Sequence, residues 1–146
     1  MELIELYDDL GCSVRYAGRP LVYEQEKCSL RTEGDAHGRT TWYETPIGTL
    51  SDVIRYGEEG TSAHYSKYPV ERLEDIPVME YFLSDQRVRF DMAQYEAIEA
   101  RLGDRGVCQF YFNRTPLMRL IVQFIGFERT IYLLHDHRER MEQVDR

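Results

Sequence analysis

Four histidines, three cysteines and a few arginines are the side chains of this chain with chemistry to offer. His135-Asp136-His137 has the residue types of a metal pair. Positions i and i+2 share a face only on a strand, and the pattern there is helical, so the two rings are expected to point apart. With no third ligand in reach, no metal site is expected. His37 lies in a Gly-flanked turn and reads as exposed. His64 sits among Tyr56, Tyr65, Lys67 and Tyr68, and either faces a pocket or is a half-exposed strand residue. Cys12, Cys28 and Cys108 form no Cys-x-x-Cys, and no basic cluster stands beside them to lower a thiol pKa. Odd in number and widely spaced, they fit reduced thiols of a cytoplasmic protein better than a disulfide framework. Cys108 reads as a small core residue. Gly-rich phosphate loops and nucleophile-elbow serines are absent from the sequence.

Position selects more sharply than residue type. If Val107-Cys108-Gln109-Phe110-Tyr111-Phe112 is a parallel strand, its C-terminal end is where ligands gather in α/β folds. Asn113 and Arg114 stand at that end, before a helix opened by Thr115 and Pro116. Arg114 suits a carboxylate held bidentately, helped by the N–H groups of the helix start, or is a solvated loop arginine. Trp42, Tyr43, Arg55 and Tyr56 form a second cluster, either packing or binding. Substrate-binding candidates are therefore Asn113, Arg114, His64 and Arg55.

The elements that must position these residues differ between two stretches. Over residues 28–68, Thr-, Tyr-, Trp- and Val-rich runs alternate with turns at residues 33–38, 45–48 and 57–60. This predicts an antiparallel meander of about four strands, over 28–32, 39–44, 49–56 and 61–67. Over residues 69–146 the period lengthens toward helix. Asp75 is expected to cap a helix with Ile76, Met79, Phe82 and Leu83 on one face and Pro77 in its first turn. Asp91 with Gln94 resembles a capping box; Tyr95, Ile98 and Leu102 follow, and Gly103 ends the helix. The apolar run at 107–112 predicts a strand buried on both faces. A helix with Leu117, Leu120, Ile121 and Phe124 inward comes next. It breaks at Gly126, and further helical pieces follow at 128–134 and 137–144. Helix, buried strand and helix in succession argue for an α/β layer.

Composition bounds the partners. The chain has 146 residues and a net charge of −8, with no basic stripe for a phosphate backbone, so no nucleic acid is expected. The uncharged run at residues 120–127 is far short of the about 20 apolar residues that span a bilayer. The opening residues lack the basic start of a signal peptide. A single cytoplasmic domain is the expectation.

Several motifs in order resemble the uroporphyrinogen decarboxylase superfamily, and more closely its corrinoid-dependent (cobalamin) methyltransferase branch. Glu44-Thr45-Pro46-Ile47-Gly48-Thr49-Leu50 is similar to the family's E-T-P-x-G-T-L hairpin. Tyr68-Pro69-Val70-Glu71 with Leu73-Glu74-Asp75 resembles its P-V-K-x-x-E-D helix start. Gly103-Asp104-Arg105-Gly106 resembles its G-D-x-G turn before a barrel strand. Arg114-Thr115-Pro116-Leu117 and Gly126-Phe127-Glu128 resemble its P-L helix and G-x-E element. Leu10-Gly11 matches its L-G-x-D, with Ser13 in place of the acid. The resemblance implies an antiparallel hairpin insertion followed by part of a (β/α)₈ barrel, a TIM-like fold that takes about 250 residues when whole. It implies a fragment or short member whose parent transfers methyl groups with a corrinoid protein as partner. Zinc and corrinoid are implied for a full-length relative, and neither for this chain alone. Porphyrinogen decarboxylation is the alternative within the family. A non-catalytic binding or self-association module, a homo-oligomer, is the alternative outside it.

Overall fold

The computed structural model describes residues 3–14, 17–58, 60, 62–112 and 114–144. The chain divides into two compact units: one is Met1–Glu24 with Arg87–Phe112, the other Gln25–Gln86 with Asn113–Arg146.

The second unit carries the meander. Strands β2 (Ser29–Asp35), β3 (Gly38–Thr45), β4 (Gly48–Tyr56) and β5 (Ala63–Lys67) pair antiparallel in sequence order. The turns are tighter than residue types alone suggest. Asp35 Oδ1 accepts the N–H groups of His37 and Gly38 at 2.8 and 3.2 Å, so β2 runs on to Asp35 before a two-residue loop. Thr45 Oγ1 does the same at the next corner, accepting from Ile47 and donating to the Gly48 carbonyl. These side-chain bonds satisfy backbone groups that the ladder leaves open.

Helix α2 (Ile76–Ser84) covers one end of this sheet, burying Ile76, Met79 and Phe82 at the expected spacing. Phe82 meets Tyr43 edge-on, with ring centroids 5.1 Å apart. Asp75 precedes α2 but caps nothing in it. Its Oδ2 accepts instead from the N–H groups of Glu71 and Arg72 at 2.9 and 3.1 Å. A short helix, α4 (Pro116–Arg119), runs into one wide π-turn at Leu120–Phe124, closed by Ile125 N–H on the Leu120 carbonyl. Gly126 then sits at φ +88°, and a Cβ there would lie 2.7 Å from the Tyr68 ring. Helices α5 (Phe127–Asp136) and α6 (Arg138–Val144) complete the layer. Val70, Met79, Phe82, Leu120, Phe124, Ile125, Leu133 and Met141 form its core. Full burial of each such aliphatic or phenyl side chain stabilises by about 1.5–3 kcal/mol.

In the first unit, helix α1 (Leu3–Asp9) and helix α3 (Met92–Leu102) bury Ile4, Val14, Ile98 and Leu102 together. Asp91 caps α3 through the Gln94 N–H at 3.0 Å, and Gly103 ends it at φ +54°, as the spacing predicts. Strands β1 (Leu21–Gln25) and β6 (Gln86–Phe90) form a two-stranded antiparallel sheet. The sequence reading assigned neither strand.

The expected α/β architecture with part of a (β/α)₈ TIM-like barrel is not what forms. The fold is mixed α+β, with two antiparallel sheets. Parallel pairing among the described residues is confined to an isolated bridge between Val14 and Gly106. Residues 107–112 form no strand, and Val107 and Phe112 are 68% and 74% exposed. A barrel strand needs parallel neighbours on both edges, and here neither edge of the run has a ladder.

Candidate functional site

The meander's register sorts the aromatic cluster onto two faces, because side chains alternate along a strand. On one face Arg31, Trp42 and Ser51 lie in a row across β2, β3 and β4. The Arg31 guanidinium stands 3.8 Å over the Trp42 ring and is paired with both Glu33 and Glu44. Lys67 donates to Ser51 Oγ at 2.8 Å and lies 3.8 Å from Glu71. Farther along, Gly38, Arg55 and His64 are cross-strand partners in turn. Two of the residues singled out from the sequence, Arg55 and His64, are thus brought side by side, both exposed. A groove of about 290 Å³ opens beside Arg55, lined also by Glu33, Gly38, Thr40, Trp42 and Val53.

The other face is for packing. Tyr43 and Leu50 lie against the helical core, and the Tyr43 hydroxyl donates to Asp52 Oδ2 at 2.6 Å. Asp52 is 3% exposed, and its Oδ1 has no hydrogen-bond partner among the described residues. Burial raises its carboxyl pKa above the ordinary aspartate range; the Tyr43 hydroxyl, the Arg39 charge and the Thr41 hydroxyl pull it back. Burial also raises the Tyr43 hydroxyl, reinforced by its bond to Asp52. Tyr65 rises as well, through burial first and the Asp52 charge second. Sequence reasoning passed over Asp52. The signal available was an acid at an inward position of an alternating strand, between Leu50 and Ile54.

A second carboxylate missed from the sequence is Asp85. Its Oδ2 accepts the N–H groups of Glu26, Lys27 and Cys28 at 3.0, 2.8 and 2.9 Å. Those bonds, Lys27's first, hold its pKa below the ordinary value, as expected where donors converge on a charged acceptor. The Cys28 thiol is raised, by burial and then by Asp85.

The remaining candidates do not converge. Asn113 lies outside the described residues. Arg114 is exposed, in an irregular stretch with no parallel strand behind it. Thr115 precedes α4 without bonding it through its side chain. His135 lies in the last turn of α5 with its Nδ1 2.8 Å from Asp136 Oδ1, and His137 sits at the joint with α6; both are exposed. Among the described residues no group of three or more His, Cys, Asp or Glu is placed to hold a metal ion.

In the first unit, what stands out is apolar surface. Phe90 of β6 contacts Tyr95 of α3 at 5.6 Å and Phe110 at 6.1 Å, and Phe110 contacts Phe112 at 6.0 Å. The rings form one continuous ladder that ends in the exposed Phe112. Val88, Met92, Val107 and Tyr111 are exposed in the same unit.

No helix among the described residues is long and apolar enough to cross a membrane. No known protein family matches this chain, and neither does any curated protein or solved structure.

Proposed function

We propose that this chain is a non-catalytic binding module that self-associates through the aromatic face of its first unit. The observation that carries this reading is the ladder Phe90–Phe110–Phe112, open to solvent at Phe112. Contiguous exposed apolar surface of this kind marks interaction sites in soluble domains. Aromatic side chains also supply most of the energy at such contacts. A second copy is the partner that suits it. In a chain of net charge −8, the run Val107-Cys108-Gln109-Phe110-Tyr111-Phe112 carries no charge, so two copies can meet there without like-charge repulsion. Cytoplasmic residence belongs to the same reading, supported by the unpaired thiols of Cys12, Cys28 and Cys108.

Light scattering on the purified chain, run from micromolar to tens of micromolar, tests the proposal. A mass of two or more copies at the upper end is expected. Phe112→Ser should return it to one copy with an unchanged circular dichroism spectrum. A single copy throughout, or association indifferent to Phe112→Ser and Phe110→Ser, would overturn it.

A further inference from the structure

We propose that the groove beside Trp42 binds a small planar aromatic carboxylate, with Arg55 holding the carboxylate and the ring lying along Trp42 and Val53. The inference concerns the second unit alone and stands apart from self-association.

Four observations lead to it. The first is size and lining. At about 290 Å³ the groove lies at the lower end of small-molecule sites, which begin near about 300 Å³, and its lining is mainly polar, with Trp42 and Val53 as its apolar part. The second is how the space arises. Gly38 is the cross-strand partner of Arg55, and a Cβ at that position would come 2.3 Å from the Ile54 carbonyl oxygen. The position must stay bare, which leaves room beside the guanidinium.

The third observation is the charge balance of this face. Arg31 is engaged by Glu33 and Glu44, and Lys67 by Ser51 and Glu71. The Arg55 side chain makes no hydrogen bond or ion pair among the described residues, although its backbone belongs to the ladders with β3 and β5. Asp35 lies close enough for the Arg55 charge to act on it, but its Oδ1 is occupied by the His37 and Gly38 N–H groups. Arg39 also lines the groove, and its charge acts on Asp52. The Arg55 guanidinium, with its donors uncommitted, matches one carboxylate, which arginine binds bidentately.

The fourth observation selects carboxylate over phosphate. Glu33 and Asp35 rim the same groove, and a dianion would meet roughly twice the repulsion that a monoanion does.

Trp42 is the only tryptophan in the chain, so intrinsic fluorescence reports on this groove. The test titrates the full chain with benzoate, using benzamide and inorganic phosphate as comparison probes. Benzoate should give a saturable change, with benzamide and phosphate at least tenfold weaker. Arg55→Gln should weaken benzoate at least tenfold, and Arg55→Lys by less, because it keeps the charge and loses the fork. Far-UV circular dichroism checks that both variants fold, and Arg55 is exposed enough for either change. Equal response to benzoate and benzamide, equal response to benzoate and phosphate, or benzoate binding unchanged in Arg55→Gln would each overturn the proposal.

Discussion

The two units spend their apolar residues in different ways. The second turns Phe82, Phe124, Ile125, Leu133 and Met141 inward between a sheet and helices. The first buries Ile4, Val14, Ile98 and Leu102 and leaves a ladder of rings at its surface. The difference lies in layers. The sheet of the second unit has four strands, enough to offer a helix a face to cover, whereas β1 and β6 alone make a two-stranded ribbon. Such a ribbon is marginal in isolation, and its rings need another surface to cover them. Apolar content by itself therefore does not separate a core from an interface; the number of neighbouring strands does.

Core truncation should separate the units most sharply. Phe82→Ala, in contact with Tyr43 and the helical core, is expected to cost about 3–5 kcal/mol in denaturant unfolding. A loss below about 1 kcal/mol would show that the second unit's core is looser than its burial suggests. Acid dependence comes next and locates the titrating groups. Asp85 has a depressed pKa, so its contribution is present above the ordinary aspartate value of 3.8 and is lost as pH falls through the folded value. Asp85→Asn should therefore flatten the acid limb of the thermal midpoint. Asp52 has a raised pKa, so its contribution has the opposite sign: it is present below the ordinary value and lost as pH rises through the folded one. Asp52→Asn should raise the midpoint at neutral pH and leave it unchanged in strong acid. Midpoints measured from about pH 2 to pH 8 decide both, and a neutral-pH loss in Asp52→Asn would reverse the assignment. The smallest effect is expected in the first unit. Phe112→Ser should change the stability of the single-copy state by no more than about 0.5 kcal/mol, since the side chain is exposed. A larger cost would mean that Phe112 serves folding instead of association.

What could be read from the sequence follows how local each signal is. The cap of α3 by Asp91, its stop at Gly103, and the inward spacing of Ile76, Met79 and Phe82 all lie within a few residues, and all form. The meander was legible because turn residues punctuate it, although Asp35 and Thr45 tighten its corners beyond what composition conveys. The run at 107–112 misled because an apolar stretch reads the same whether neighbours cover it or not. Gln86-Arg87-Val88-Arg89-Phe90 alternates as a strand should, yet its partner β1 begins at Leu21, and no local rule joins the two. Arg55 and His64 were visible as residues. Their adjacency depends on the β4–β5 register and on its irregularity between Val53 and Ile54. Asp85 was invisible because its three donors lie near residue 27, far away in the chain.

The wide turn at Leu120–Phe124 makes this stretch unusually sensitive to insertion and deletion. A π-turn holds one residue more than an α-helical span closing the same loop. Each residue of α-helix advances the side chains by about 100°. Removing one residue between Leu120 and Phe124 would restore ordinary pitch locally and rotate everything downstream by that angle. Gly126 would leave its fit against the Tyr68 ring, and Thr130 and Leu133 would swing out of the core they now fill. The extra residue thus sets the phase of the C-terminal helices, and lineages of this chain should tolerate substitutions there far more readily than changes in length.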